Sequence, residues 1–273
     1  MSAPDRYVVI GNPIAHSKSP LIHARFAEQT GQQISYEPLL APVDAFEETV
    51  KAFIVSGGRG ANVTVPFKLE AFRFANELSA RAEAAGAVNT LNVRDGRVFG
   101  DNTDGIGLVR DIVQAAGVRL GGKRVLLLGA GGAARGVILP LLAEAPARLM
   151  IANRTPERAA ELAAQFSSPS VSIETGSFAT LAGPFDVVIN ATSASLSSDL
   201  PPVPPSVFGS HSFVYDMMYA AEPTPFMRLA SQHGAQVRDG LGMLVEQAPE
   251  SFYLWRGVRP QTAPVYEWLR STL

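Results

Sequence analysis

The sequence predicts an α/β protein of two domains, and three observations carry that prediction. Its 273 residues exceed the roughly 150 of a typical domain, with a single large barrel as the main competitor at this length. From about residue 120 onward, short apolar runs alternate with helix-length stretches rich in Ala, Leu, Arg and Glu, the pattern of a parallel sheet covered on both faces. Between one such run and the next helix lies Gly129-Ala-Gly-Gly-Ala-Ala134, a glycine-rich turn where a doubly wound sheet binds phosphate.

Composition narrows the function. At 47% apolar residues the chain can bury a core without covalent staples, and its Gly and Pro content stays below the roughly 25–30% that marks disorder. Lys and Arg number 23 against 25 acids, a net charge of −2, so nucleic acid is not an expected partner. The absence of cysteine removes disulfides, thiolate zinc sites, iron–sulfur clusters and a cysteine nucleophile. His16, His23, His211 and His233 show no metal-ligand spacing, and no metal is expected. The opening MSAPDRYVVIG carries no basic-plus-apolar signal, and no apolar run approaches the ~18–20 residues of a membrane span. A cytoplasmic protein without a membrane partner is the expectation. The Asn-x-Thr triplets at 62, 153 and 190 are then chance glycosylation matches.

Taken in order, Tyr7-Val-Val-Ile10, Ile34-Ser-Tyr36 and Ala61-Asn-Val-Thr-Val65 read as strands, and 20–29, 43–56 and 67–85 as helices. Arg94-Asp95-Gly96-Arg97 marks a hairpin. A boundary falls near Asp101-Asn-Thr-Asp-Gly105, which opens the next helix. Strands follow at Arg124–Leu128, Arg148–Ala152, Val171–Ile173, Asp186–Asn190, Phe213–Asp216 and Gln236–Val237, with helices over 132–145 and 155–166. The Pro/Ser-rich 199–212 reads as a loop, and 240–273 as helices without a further strand that return to the first domain. The expected domains are 1–103, a nucleotide-binding 104–239, and the helices 240–273.

The Gly129–Ala134 turn points to dinucleotide binding, its glycines permitting a tight turn and its helix N-terminus receiving a pyrophosphate. A turn that merely packs a helix on a sheet is the bland alternative. Gly117-Val-Arg-Leu-Gly-Gly122-Lys123 imitates a P-loop, but Arg124 replaces the final Ser or Thr and the segment precedes a strand. The second strand of this domain leads into Asn153-Arg-Thr-Pro-Glu-Arg158. An NAD enzyme usually places an acid there for the ribose hydroxyls, whereas this chain places Arg154, with Thr155 and Pro156 as N-cap and first helical residue. NADP is therefore expected over NAD, a surface Arg cluster being the alternative. In the first domain, Lys68 alone reads as a solvated lysine and Asp104 alone as a helix cap. Ser17-Lys-Ser19-Pro20 alone reads as a cap followed by a helix-opening proline.

Together these segments resemble the shikimate dehydrogenase family through nearly the whole chain. The resemblance rests on Gly11-Asn-Pro-Ile-Ala-His-Ser-Lys-Ser-Pro20, Asn62-Val-Thr-Val-Pro-Phe-Lys68, Gly86-Ala-Val-Asn-Thr90 and Asp101-Asn-Thr-Asp-Gly105. It continues through Gly129-Ala-Gly-Gly-Ala133, Asn153-Arg-Thr155, Asn190-Ala-Thr-Ser193, Tyr215-Asp-Met217 with Tyr219, and Gly240-Leu-Gly-Met-Leu-Val-Glu-Gln247. It implies a substrate carboxylate held by Ser17, Ser19 and Tyr219, ring hydroxyls held by Thr64, Asn89 and Gln247, and a catalytic pair of Lys68 and Asp104. It further implies that Gly129, Ala130, Gly131, Gly132, Ala133, Asn153, Arg154, Thr155, Arg158, Thr192, Met217 and Gly240 line NADP. Ser19, read as an N-cap ahead of Pro20, would present an anion to free N–H groups. His16 receives no catalytic role. Two positions depart from the family pattern: Ser195 stands where Gly is usual, and Ala80 where an acid is common. The implied reaction is reversible NADP-dependent reduction of 3-dehydroshikimate to shikimate, in a cleft between the domains of a monomer or homodimer. A quinate/shikimate dehydrogenase with relaxed NAD use, or a silent NADP-binding redox sensor, are the alternatives.

Overall fold

The run Tyr7-Val-Val-Ile10 lies inside β1 (Asp5–Gly11), an interior strand of a six-stranded sheet in the computed structural model, which describes residues 3–166, 168, 170–192 and 200–273. This sheet belongs to a unit built from Met1–Asp104 and Val245–Leu269. β1 pairs in parallel with β2 (Ile34–Leu40) and β3 (Gly58–Val63), between which run α1 (Ser19–Thr30) and α2 (Phe46–Val55). β3 then runs antiparallel to β5 (Thr90–Arg94), and β5 antiparallel to β6 (Arg97–Asp101). The β5–β6 hairpin turns on Asp95 at φ 50° and Gly96 at φ 75°, the two left-handed residues that a tight primed turn demands.

The single helix expected over 67–85 is corrected. The chain instead forms α3 (Lys68–Phe74), a two-residue β4 (Glu77–Leu78) that pairs with β6 at the sheet edge, and α4 (Ala80–Ala85). The break has local causes. Asn76 Oδ1 accepts the Val98 N–H at 2.8 Å, and Ser79 Oγ caps α4 by accepting the Ala82 N–H at 3.1 Å.

One face of this sheet packs Val8, Ile10, Ala61, Val63 and Leu91 against Phe46, Val50, Phe53 and Phe67. The other receives residues of α9 (Leu241–Arg256). Trp255 Nε1 donates to the Leu91 carbonyl at 3.0 Å and its ring stacks on Tyr7 at 4.6 Å. Gly60 lies beneath that indole, where any Cβ would collide with it.

The second unit, Gly105–Leu244 with Arg270–Leu273, has six parallel strands. They are β7 (Arg124–Leu128), β8 (Arg148–Asn153), β9 (Ser172–Ser177), β10 (Val187–Asn190), β11 (Phe213–Asp216) and β12 (Gln236–Asp239). Their order, β12-β11-β10-β7-β8-β9, reverses direction between β7 and β10, the switch point of a doubly wound sheet. Alternate residues bury on opposite faces, as the uninterrupted apolar runs predict. Val125, Leu127, Val187 and Ile189 lie with α6 (Gly132–Ala143), and Leu126, Leu128, Val188 and Val214 with α8 (Pro225–Gln232).

α5 (Asp104–Arg110) runs into a π-helical turn, Asp111–Ala115. The carboxylate of Asp111 is fully buried and accepts from Tyr215 Oη at 2.8 Å and from Arg238 Nε at 2.8 Å. Gly242 passes so close to Asp111 that a Cβ would strike its carboxylate.

In the first unit, His23 of α1 is fully buried, stacked on Tyr36 at 4.1 Å and flanked by Trp255 and Phe252. Neither ring nitrogen has a hydrogen-bond partner of good geometry. Burial drives its pKa down to about 3, an effect the nearby Asn62 amide only partly offsets. The unfolded chain binds a proton near pH 6.5 while the folded one stays neutral, so stability falls as pH drops through that window. Between pH 7 and pH 5 the loss from this one group is about 2 kcal/mol. Urea midpoints at both pH values should therefore differ more for the wild-type protein than for His23→Phe; equal differences would show that His23 is not the acid-sensitive group.

Candidate active site

Strand register brings the chemistry of the first unit to one end of its sheet. Val9 pairs with Asn62, Asn62 with Thr90, and Thr90 with Asp101, so these residues form a single row. Beyond that row lie the segment after β1 with Ser17 and Ser19, the segment after β3 with Thr64 and Lys68, Asn89 just ahead of β5, and Asn102–Asp104 after β6. Such a strand end is where open α/β sheets place their ligands.

Lys68 opens α3 and Asp104 opens α5. Lys68 Nζ donates to Asp104 Oδ2 at 2.6 Å, with the two side chains 33% and 21% exposed, so the ammonium is held yet accessible. The other carboxylate oxygen accepts from Asn89 Nδ2 at 2.8 Å. The backbone fixes the turn itself, because Asp104 N–H donates to Asn102 Oδ1 at 3.2 Å and Asn102 Nδ2 to the Ala87 carbonyl at 3.1 Å. Thr103 links Asn89 to Gln247: its hydroxyl donates to Gln247 Oε1 at 2.9 Å and accepts from Asn89 Nδ2 at 3.0 Å. Lys68, Asn89, Asp104 and Gln247 are thus brought together. Thr64 lies on the same segment as Lys68.

The expectation for Ser19 is corrected. Lys18, not Ser19, stands at the N-cap of α1, and Ser19 is the first helical residue. Ser17 Oγ takes the role instead by accepting the Ser19 N–H at 3.3 Å, while Pro20, which has no N–H, follows. Ser17 and Ser19 still flank the first turn of the helix. His16 is exposed beside them, and Ala80 is exposed at the start of α4. Tyr219 belongs to the second unit, where burial, with Asp239 nearby, raises its pKa above the usual phenol value.

In the second unit, Gly129 to Ala133, Asn153, Arg154 and Thr192 line one groove of about 670 Å³ at the β7/β10 switch point. Gly129 adopts φ 108°, which only glycine takes up readily, with the Ala191 carbonyl close by. No side chain caps α6, and a Cβ on Gly131 or Gly132 would stand in open space. The first N–H groups of the helix therefore face the groove, a cradle that suits a pyrophosphate. Arg154 is exposed at the end of β8. Thr155 holds the N-cap position before Pro156 of α7 (Pro156–Ala163), but its hydroxyl makes no capping bond; Asn153 Nδ2 donates to its carbonyl at 3.0 Å. Arg158 is exposed on α7, outside the groove lining. Met217 and Gly240 follow β11 and β12, and Gly240 passes so near the Met217 carbonyl that a Cβ would collide. Thr192 turns back on Asn190 through its N–H at 3.1 Å and hydroxyl at 2.7 Å. Ser195 lies outside the described residues.

Sequence reasoning missed several contributors. Phe178, which opens a short 3-10 turn, and Leu200, Pro201 and Pro202 complete the groove wall, and as apolar residues they carry no motif. Asn62, Thr90 and Ser251 form a buried polar cluster behind Asn89; the first two lie inside recognised motifs, but nothing in the motif says which way they point. Among the described residues no group of three or more His, Asp or Glu is placed to hold a metal, and no helix is long and apolar enough to cross a membrane.

Comparison with known proteins agrees along the whole chain. Residues 9–91 match the shikimate dehydrogenase substrate-binding domain, 109–198 the shikimate / quinate 5-dehydrogenase family, and 240–270 the shikimate 5′-dehydrogenase C-terminal domain. A shikimate dehydrogenase (NADP(+)) of Janthinobacterium sp. (strain Marseille) is 63% identical, and one of Herminiimonas arsenicoxydans 64%, each over 98% of both chains. The crystal structure of shikimate 5-dehydrogenase from Thermus thermophilus, in complex with NADP(H) and shikimate, superposes with a TM-score of 0.87 at 34% identity over 98% of this chain and 100% of that one. Identity at this level, end to end, settles the matter: the chain belongs to the shikimate dehydrogenase family.

Proposed function

We propose that this protein is an NADP-dependent shikimate dehydrogenase, which reversibly reduces the ketone of 3-dehydroshikimate to the alcohol of shikimate. The observation that carries this reading is the 2.6 Å pair of Lys68 and Asp104 at the strand ends of the first unit. NADPH bound along the Gly129–Ala133 turn would supply the hydride. Lys68 Nζ, which donates to Asp104, can pass a proton to the substrate oxygen as negative charge develops there. Asp104 holds the ammonium through Oδ2, and Asn89 holds Asp104 through Oδ1. In the oxidative direction the neutral amine of Lys68 receives the hydroxyl proton. Ser17, Ser19 and Tyr219 take the substrate carboxylate in this reading, and Thr64, Asn89 and Gln247 the ring hydroxyls. Retention of a paired Lys68 and Asp104 favours an enzyme over a silent redox sensor.

Replacing Lys68 with Ala should lower kcat for shikimate oxidation by about 10²–10⁴, with a much smaller change in NADP affinity. Absorbance at 340 nm measures it, and a variant keeping more than a tenth of wild-type kcat would remove Lys68 as the acid.

The cofactor preference rests on Arg154, an exposed cation lining the groove where an acid would favour NAD. Charge-assisted hydrogen bonds to a 2′-phosphate are worth roughly 1.5–3 kcal/mol each. Arg154→Ala should weaken NADP binding about tenfold or more and leave NAD nearly unchanged. Equal losses in titrations with both cofactors would overturn this.

The family matched over 109–198 takes its name from both shikimate and quinate. Quinate adds a hydroxyl on the carbon bearing the carboxylate, where Ser17, Ser19 and Tyr219 would crowd it. An unpaired polar group buried there costs about 1–3 kcal/mol. kcat/KM for shikimate should exceed that for quinate by about a hundredfold with NADP. Paired measurements at one pH check this, and a ratio below about ten would assign the protein to a dual-substrate role.

A further inference from the structure

Asn62, Thr90 and Ser251 are buried polar residues that the reaction described above does not touch. They come from β3, β5 and α9, yet they meet behind the catalytic pair. Asn62 Nδ2 donates to Ser251 Oγ at 2.8 Å, to Thr90 Oγ1 at 3.0 Å and to the Asn89 carbonyl at 3.2 Å. Thr90 Oγ1 donates to Asn89 Oδ1 at 2.9 Å and lies 2.8 Å from Ser251 Oγ. Tyr36 Oη donates to Asn62 Oδ1 at 2.7 Å.

The direction of these bonds is set by groups that can play only one part. The Thr103 backbone N–H can only donate, and it donates to Asn89 Oδ1 at 2.9 Å, which turns Asn89 Nδ2 toward Asp104. The Asn89 carbonyl can only accept, which turns Asn62 Nδ2 toward it and leaves Asn62 Oδ1 for the tyrosine. Burial raises the pKa of Tyr36 well above the ordinary phenol value, so its hydroxyl keeps the proton it donates. The result is a one-way series, Tyr36 to Asn62 to Thr90 to Asn89 to Asp104, in which every member donates toward the carboxylate that holds Lys68.

We propose that this series is a positioning device: Asn62 and Thr90 fix the plane of the Asn89 amide, and through it the angle at which Asp104 presents the Lys68 ammonium to the substrate. The inference rests on the dehydrogenase reading and deepens it. Thr90 is the link at which it can be cut without emptying the core. Valine has the shape of threonine, and Asn62 Nδ2 would keep Ser251 Oγ and the Asn89 carbonyl as acceptors. Asn89 Oδ1 would lose one of its donors and keep the Thr103 N–H, which loosens the tilt of an amide whose Nδ2 remains bonded to Asp104 Oδ1 and Thr103 Oγ1. A misplacement near 1 Å at a reacting group is enough to slow catalysis by about 10².

The test compares Thr90→Val and Thr90→Ser with the wild-type enzyme in kcat, in KM for shikimate and for NADP, and in thermal midpoint. The expected result is a fall in kcat of about 10- to 100-fold for Thr90→Val, with KM for NADP within about twofold. Thr90→Ser, which restores the hydroxyl, should return kcat to within about threefold of wild type. A merely structural threonine would give a lower midpoint and an unchanged kcat per folded molecule, and that outcome overturns the proposal. So does a Thr90→Ser variant as slow as Thr90→Val. If Thr90→Val does not fold, Asn62→Ala cuts the same series one link earlier by removing the donor to Thr90 Oγ1, and wild-type kcat in that variant overturns the proposal equally. A wild-type protein that fails to oxidise shikimate with NADP would instead bring down the functional reading, and this inference with it.

Discussion

Register across β3, β5 and β6 is the constraint from which the first unit's site follows. Side chains alternate faces along a strand, so a slip of one residue would exchange the two faces entirely. Here Ala61 and Leu91 are paired in register and buried in the apolar core. That packing obliges their neighbours Asn62 and Thr90 to point to the opposite face, where Ser251 meets both. The hydrophobic effect thereby selects the only register in which the polar row can form. Gly60 belongs to the same alternation: it is two residues from Asn62, and its missing side chain leaves room for Trp255.

Buried charge is handled alike in both units, by pairing with arginine. Burial alone would raise the pKa of Asp101, but Arg81 and Ser79 more than offset it, and the net shift is downward. Arg81 donates to both carboxylate oxygens at 2.7 and 2.6 Å, and Asp101 also accepts the Asn102 N–H at 2.8 Å. The ion pair therefore anchors the first residue of the turn that carries Asp104. In the second unit Arg238 and Tyr215 perform the same service for Asp111. A buried pair of this kind adds little net stability, but losing one partner leaves a charge stranded, which costs about 3–5 kcal/mol. Such residues hold geometry rather than supply energy.

The second unit was largely legible in the sequence because its physics is local. Apolar runs such as Arg124–Leu128 and Asp186–Asn190 are buried on both faces and need no partner to be recognised, and Gly129 needs its φ of 108° whatever lies around it. The first unit was less so. Asn76 and Ser79 break the 67–85 stretch through bonds to Val98 and Ala82, and the Asn76 contact depends on a strand 22 positions away. Lys68 and Asp104 are 36 residues apart, and only the family resemblance joins them before the strands are laid side by side. Asn62 shows the limit most clearly: its motif is visible, but its partner Ser251 is 189 residues distant. Hydrogen bonds at that separation leave no periodicity to read.

That separation has a consequence for how the protein is made. The first unit is discontinuous, with Val245–Leu269 completing what Met1–Asp104 begins, whereas Gly105–Leu244 is a single run. On the ribosome the chain emerges in order, so the parallel sheet of the intervening run can close while the earlier sheet still lacks Trp255 over Gly60 and Ser251 against Asn62 and Thr90. Until the later segment emerges, the nascent chain carries the buried face of that sheet uncovered, with its polar row open to water. Folding of the substrate-binding unit is thus vectorially last although its first residues are made first.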